Sequence, residues 1–258
     1  MILPFSFRWC LGKPPVLAGL FFLGTLSLMG SPEPDGNKPA PEATAAPSPA
    51  AKATPTDPNQ EALREIFARF SAAFDKRDFA KASEALAEGE KLSPDNPTIR
   101  AARAGIYAES GDIEKAREIY LALEKEGPDP FIPRFNLAEL YFLEKDYSKG
   151  REAFEKLLKD YPANDLVRFK IVLSYIGEKK PEQAREALAP LQRSTPTVYF
   201  VYALAAVALD QGRLAEGKEL ILSAERYYGA GQHKLLHDSL AELNLVLRTD
   251  YPPARPAQ

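Results

Sequence analysis

The chain has 258 residues, in which 36 aspartates and glutamates slightly outnumber 33 lysines and arginines. This length allows one large domain or two ordinary ones. No segment concentrates positive charge, which argues against a nucleic-acid-binding protein.

Residues 1–30 have the pattern of an export signal. Arg8 and Lys13 are their only charged residues, and an apolar run of 14 residues extends from Val16 to Met29. As a helix this run would be about 21 Å long, which is short of a hydrocarbon core of about 30 Å. We therefore predict a cleaved signal and a periplasmic or secreted protein. The alternative is an uncleaved N-terminal anchor, which would be the only part of the chain in contact with the membrane.

The small residues best placed for signal cleavage are Thr25 and Ser27, with Gly30 as an alternative. The only cysteine, Cys10, precedes the apolar run, whereas the acylated cysteine of a lipoprotein follows it. The cleaved chain would have no cysteine for a disulfide or a thiolate metal site. Loss of the two basic residues of the signal leaves 31 basic against 36 acidic residues.

Residues 31–58 are predicted to form a disordered linker rich in proline and alanine. They include eight prolines and no Val, Ile, Leu, Met, Phe, Tyr, Trp or Cys. A segment with nothing apolar to bury cannot offset the entropy cost of folding, and its prolines favour extended conformations. We interpret it as a spacer; a proline-rich ligand for another protein module is the alternative.

From residue 59 the sequence repeats with a period of 34 residues. A small residue recurs at this interval, a large apolar residue follows it by four positions, and a proline follows it by twelve. Tyrosines precede the last three small residues by nine positions. In this order the residues are Ala82, Ala116, Gly150 and Ala184; Leu86, Tyr120, Phe154 and Leu188; Pro94, Pro128, Pro162 and Pro196; and Tyr107, Tyr141 and Tyr175. Four features with one period indicate an internal repeat.

Each repeat is predicted to be a pair of short antiparallel helices that pack closely at the small residue. Asp78, Asp112 and Asp146 are expected to cap the second helices. Other helix starts are predicted where a capping residue precedes a proline, at Asn96-Pro97, Asp129-Pro130 and Thr195-Pro196. Pro190 lies inside a second helix, which it should kink or shorten. Such helices are marginal alone and must stack on one another.

These positions resemble the tetratricopeptide repeat family over residues 60–229. The resemblance is strongest in the units 95–128, 129–162 and 163–196, whereas a fifth unit arrives after 33 residues with Gly217 as its small residue. It implies an all-α solenoid of about five helix-turn-helix units and a C-terminal cap helix over residues 59–249, followed by a loose tail, 250–258. It also implies a protein-interaction scaffold. We do not expect an enzyme, because serines are few and no strand pattern or glycine-rich phosphate loop appears.

The cap helix is predicted from an apolar stripe of Leu235, Leu236, Leu240, Leu243 and Leu247. His233 and His237 have the spacing of a zinc-protease motif, but Lys234 stands at the place of the catalytic glutamate. No further histidine or cysteine follows the signal. We therefore expect two ordinary cap-helix residues, no metal, no cofactor and no catalytic site.

A partner-binding site is predicted on the concave side, which the first helices of a solenoid line. The stripe offset from the repeated tyrosines should face a ligand. The predicted groove consists of Phe135, Asn136, Glu139, Phe142, Phe169, Lys170, Leu173, Ile176 and Tyr202. A peptide or helix of another protein would bind there. The alternative is that the cap helix, or tight stacking, buries these residues as core.

The family's carboxylate clamp uses asparagine, lysine and arginine from successive first helices. Asn136 and Lys170 match two such places, but Ser71 and Gly105 stand where an asparagine is expected, so we do not predict this clamp. Two further functions stay open. One is a self-associating structural module whose groove holds a second copy, and the other is an accessory subunit of a separately encoded envelope enzyme or assembly machine.

Overall fold

The computed structural model describes residues 58–127, 129–228 and 233–247. The predicted export signal, nearly all of the linker and the tail lie outside this part. The described residues form eleven α-helices and one 3-10 helix, Ala189–Leu191. The helices are α1 (Pro58–Asp75), α2 (Phe79–Leu92), α3 (Pro97–Ser110), α4 (Ile113–Glu126), α5 (Phe131–Leu143), α6 (Tyr147–Asp160), α7 (Asp165–Gly177), α8 (Pro181–Glu186), α9 (Val198–Asp210), α10 (Leu214–Tyr227) and α11 (His233–Glu242).

The helices pack in sequential pairs, which confirms the predicted all-α repeat. α1 packs on α2, α3 on α4, α5 on α6, α7 on α8 and α9 on α10, and each second helix also contacts the first helix of the next unit. Two apolar cores result. One extends from α1 to Leu140 in α5, and the other extends from Phe131 in α5 to α11.

The small residue of each unit lies at the closest contact of its two helices. Ala82, Ala116 and Ala184 are buried. A Cβ atom on Gly150 would lie 3.2 Å from Cδ2 of Phe142 and 3.5 Å from a backbone oxygen of α5. On Gly217 it would lie 2.5 Å from Cγ of Leu209. The contact therefore requires a small side chain, as the repeat predicts.

The turn inside each unit contains one residue in the left-handed region. Its φ is 59° at Arg77, 94° at Gly111, 60° at Lys145, 60° at Lys179 and 77° at Gly212. The next residue donates its N–H back into the preceding helix, as Asp112 does to the carbonyl of Tyr107 at 2.9 Å. This arrangement closes the first helix and sets the direction of the second.

The three predicted aspartate caps are confirmed. Asp78, Asp112 and Asp146 accept hydrogen bonds from the N–H groups three residues later, at 3.1, 3.4 and 3.2 Å. These N–H groups belong to lysines at positions 81, 115 and 149, whose side chains also form ion pairs with the aspartates. Hydrogen bonding to the lysine keeps the pKa of each aspartate below its ordinary value.

Of the three predicted starts at a capping residue and a proline, one has the expected form. Asn96 caps α3 by accepting from the N–H groups of residues 98 and 99. At α5 the N-cap position is Pro130, and Asp129 accepts from the N–H of Phe131 at 3.0 Å. The start at Thr195-Pro196 is wrong, because Thr197 caps α9 and Pro196 lies outside the helix. Thr197 has the extended backbone that an N-cap requires.

The prediction for Pro190 is confirmed. α8 ends at Glu186 after six residues, and the chain continues into the 3-10 helix that contains Pro190. Leu191 is nonetheless fully buried. The fourth unit therefore keeps its apolar contact with α7 although its second helix is short.

The two close glycine contacts give a matched test. Gly217→Ala is expected to lower the free energy of unfolding by about 1–3 kcal/mol, because its Cβ overlaps Leu209. Gly150→Ala should change it by less than about 1 kcal/mol, since the gain in helix propensity offsets a small shift of Phe142. Urea unfolding followed by circular dichroism measures both values. Equal losses in the two variants would contradict this packing.

Candidate functional site

The nine residues of the predicted groove lie together on the first helices α5, α7 and α9. All nine are buried, and none is more than 4% exposed. Asn136, Glu139 and Lys170 are polar or charged, and the others are apolar or aromatic. The structure therefore brings the predicted residues together, but it does not leave them open in this conformation. That a partner binds to them stays a prediction.

The cap helix, α11, covers this surface. Leu235, Leu236 and Leu240 of α11 belong to the same apolar core as the phenylalanines of the groove. α11 contacts α9, and its Lys234 Nζ lies 3.9 Å from Oδ1 of Asp75 at the end of α1. The side lined by first helices is therefore filled by α11, which is the second interpretation of the sequence pattern.

The position of α11 leaves the last repeat partly uncovered. Leu214, Leu222 and Tyr227 of α10 are exposed to 58%, 49% and 83%. In the other units the second helix contacts the first helix of the next unit. α11 lies against α9 instead, so the outer face of α10 keeps apolar side chains in solvent.

Two phenylalanines of the predicted groove also contact the second helix of their own unit. The ring centroids of Phe135 and Phe142 lie 5.4 and 6.0 Å from that of Phe154. Phe142 additionally makes an edge contact with Tyr147, at 5.2 Å. Because Phe154 is the repeated large residue of α6, these phenylalanines support the helix pair as well as the concave surface.

A buried ion pair lies between the solenoid and α11. Lys170 Nζ is 2.7 Å from Oε2 of Glu139 on α5 and 3.8 Å from Oε2 of Glu242 on α11. It also lies 5.5 Å from the ring centroid of Phe142. A charge can be buried at tolerable cost only when it is paired, and here an acid from each side faces the cation.

Electrostatics keep this lysine charged. Burial alone would lower the pKa of Lys170, but the carboxylates of Glu139 and Glu242 outweigh that effect and raise the pKa above its ordinary value. The ammonium group is therefore present at neutral pH. The concave surface therefore contains a buried cation beside apolar side chains.

Asn136 is fully buried, and neither atom of its side-chain amide has a hydrogen-bond partner among the described residues. Asn136 and Lys170 are 34 residues apart and so occupy equivalent places in successive units. The acid that pairs with Lys170 is Glu139, and the residue equivalent to Glu139 one unit earlier is Gly105. Asn136 therefore has no acid at the place from which Glu139 pairs with Lys170.

The two histidines of the cap helix fix its start. His233 lies 3.3 Å from the hydroxyl of Tyr202 through Nδ1 and 2.7 Å from the carbonyl of Tyr228 through Nε2. His237 is buried against the solenoid. Within the described residues, no three His, Cys, Asp or Glu side chains are placed to hold a metal ion.

Sequence reasoning missed Glu242 as a residue of this surface. The sequence indicated this role only weakly. Glu242 is an acid beside the leucines of an amphipathic helix, and the buried face of that helix contains another polar residue, Ser239.

None of the helices in the described part of the chain has the length and apolar character that a membrane crossing requires.

Three family models described as tetratricopeptide repeats match residues 73–140, 134–164 and 169–229. Together they cover more than half of the chain. The chain belongs to the tetratricopeptide repeat family. Members of this family generally act as protein-interaction scaffolds and are usually non-catalytic.

A solved structure with the same fold is similar to this chain. A thermophilic tetratricopeptide repeat protein of Thermus thermophilus is 18% identical, with a TM-score of 0.54, and the match covers 73% of this chain and 100% of that chain. PilF of Pseudomonas aeruginosa is 17% identical, with a TM-score of 0.48, over 77% of this chain and 96% of that chain. No curated protein matches the chain by sequence. At these identities the likeness extends to the fold alone.

The buried ion pair predicts a large effect on stability. Lys170→Met should lower the free energy of unfolding by about 3–5 kcal/mol, because it removes the cation that lies 2.7 Å from the buried carboxylate of Glu139. Lys179→Met is the matched control, since its ion pair with Asp210 spans 3.8 Å and its side chain is 81% exposed. It should change the value by about 0–1 kcal/mol. Urea unfolding at pH 7 measures both, and small equal effects would contradict the assignment.

The pH dependence of this difference has a definite sign. The pKa of Lys170 is raised in the folded chain. Its contribution to the free energy of unfolding is therefore fully present below the ordinary lysine pKa of about 10.4 and is lost as the pH rises through the pKa of the folded chain. The stability gap between the native protein and Lys170→Met should therefore shrink in strongly alkaline buffer.

Proposed function

We propose that this tetratricopeptide repeat protein is an exported scaffold that binds a helical segment of a partner protein on the surface lined by its first helices. The general role of the family supports protein binding. The observation that supports this location is α11, a helix of ten residues that already occupies the surface. A surface that accommodates one amphipathic helix has the shape and the apolar character that another such helix needs.

The contacts of α11 resemble those of a helix bound in a groove. Leu236 and Leu240, four residues apart, are fully buried in the core that α5, α7 and α9 share. Leucines at this spacing lie on one face of a helix and are the anchors of helix-in-groove binding. A partner helix with the same spacing would meet the same phenylalanines.

The first unit offers an entry to this surface. Phe67 and Ser71, on the stripe of α1 that corresponds to the groove residues of later units, are only half-buried. Phe142 and Phe169, in contrast, are core residues. An acidic substitution at either would unfold the repeat and would not test binding.

Photo-crosslinking tests the proposed surface. With p-benzoylphenylalanine in place of Phe67, we expect covalent adducts with a distinct partner protein in cells of the native host, because this side chain borders the concave face. The matched control places the same group at Leu121 of the second helix α4, which is 41% exposed. Mass spectrometry identifies the adducts, and the purified partner should then bind the purified scaffold.

Two results would overturn this assignment. Adducts from Leu121 and not from Phe67 would place the partner on the second helices. Adducts between two copies of the chain would favour self-association, which the exposed Leu214 and Leu222 of α10 make the second candidate function.

Export is tested by the mass of the protein from a bacterial host. We expect the periplasmic or secreted fraction to contain a chain that begins just after Ser27 or Gly30, because residues 1–30 have the pattern of a cleaved signal. Arg8→Glu with Lys13→Glu is the control that should block export. A full-length chain of 28.5 kDa in the membrane fraction would indicate the uncleaved anchor, and a full-length cytoplasmic chain would contradict export.

A further inference from the structure

We infer that α11 is an internal ligand that a partner helix displaces, and that this partner helix carries an aspartate or glutamate where α11 carries Glu242, facing Lys170. The inference rests on the proposed function, because it specifies the kind of partner that the same surface binds. It adds that the partner helix must carry an acidic residue and that it must compete with α11 for the surface.

The ion pairs that hold α11 are longer than the one inside the solenoid. Lys170 and Glu139, both in the solenoid, are 2.7 Å apart. Glu242 of α11 lies 3.8 Å from Lys170, and Lys234 of α11 lies 3.9 Å from Asp75. Strong charge-assisted hydrogen bonds measure about 2.7–2.9 Å. α11 is also too short to be stable as a free helix, so its position depends on the contacts that it makes with the solenoid.

Departure of α11 leaves the buried cation, Lys170, paired within the solenoid. Glu139 stays beside Lys170, and water reaches the pair when the cover is removed. Glu242 itself moves into solvent, where a carboxylate is stable. Displacement costs the contacts of His233 with Tyr202 and Tyr228 and the buried apolar area of Leu235, Leu236 and Leu240. A partner helix with leucines at the same places would bury that area again.

Lys170 selects the sign of the charge on an incoming helix. An ammonium group has three N–H donors, and Glu139 occupies one side of it. A carboxylate at the place of Glu242 is attracted to the remaining donors. A neutral residue loses this attraction, and a lysine or arginine there would meet a like charge in an apolar surrounding. The surface therefore favours an acidic amphipathic helix over a neutral or basic one.

Asn136 is a second polar residue of the predicted groove, three residues before Glu139 on α5. With α11 in place, the buried amide of Asn136 has no hydrogen-bond partner among the described residues, and a buried polar group left unpaired costs about 1–3 kcal/mol. The preceding unit supplies no acid for it, because Gly105 stands where Glu139 stands one unit later.

A labelled peptide of residues 231–247 tests the inference on the full chain. The chain carries Cys10→Ser with Asp75→Cys and Lys234→Cys, and a bismaleimide then links α11 to α1. We expect the peptide to bind the unlinked chain and to bind the linked chain at least tenfold more weakly, measured by fluorescence anisotropy. The control links Lys179→Cys to Asp210→Cys. The native residues form an ion pair of 3.8 Å, and neither belongs to α11, so this link should leave binding unchanged.

Peptide variants test the charge requirement. Glu242→Lys in the peptide should weaken binding at least tenfold, because it faces Lys170. Asn244→Lys, at an exposed position of the same segment, should change it less than threefold. Equal binding of the Glu242→Lys peptide, or equal binding to the linked and unlinked chains, would overturn the inference. A dimer of the native chain that the link prevents would assign the surface to the α11 of a second copy and would also overturn it.

Failure of this inference and failure of the proposed function are distinguishable. If the linked chain captures the crosslinked partner as well as the unlinked chain does, the scaffold function stands and displacement of α11 is wrong. If no partner forms adducts from Phe67 while the peptide still binds with the expected charge dependence, the surface has the inferred chemistry and the scaffold proposal is wrong.

Discussion

A helix of 13 or 14 residues is barely stable alone in water, and this constraint governs the whole solenoid. Every helix has to bury an apolar face on a neighbour, and the first and second helices of a unit achieve this only where one residue is small. Ala82, Ala116, Gly150, Ala184 and Gly217 meet that need in turn. The same constraint acts on α11, the single helix that follows the last pair within the described residues. It has to bury its leucines elsewhere, and the concave surface is where it does so.

Several features of this fold could be predicted from the sequence because they recur between units or follow from a local residue pattern. The small contact, the aspartate caps and the short helix before Pro190 depend on residues close in sequence. The turn conformation at Arg77, Lys145 and Lys179 was less visible, since lysine and arginine do not signal a left-handed backbone. The start of α9 was misplaced because Thr195 and Thr197 both precede it, and only the backbone decides which of them caps.

The contact between α11 and the solenoid had no such periodic signal. Lys170 and Glu242 are 72 residues apart, and among the described residues no other unit contains an equivalent ion pair. Phe135 and Phe142 show a second limit of pattern reasoning. One stripe of a first helix can face both its own second helix and the concave side, and residue spacing alone does not separate the two roles. Asn136 and Lys170 were selected by analogy with a clamp, yet their surroundings differ because Gly105 replaces the acid that Glu139 provides.

Because α11 belongs to the same chain as the concave surface, its concentration beside that surface does not fall when the protein is diluted. α11 follows α10 after only a few residues, so its local concentration beside the concave surface is fixed by that short connection and is on the order of millimolar or higher. The fraction of molecules with a covered surface is then the same at any abundance of the protein. In the displacement inferred above, only the concentration of a competing helix changes that fraction, so the proposed scaffold would respond to how much partner is present and not to how much scaffold the cell makes.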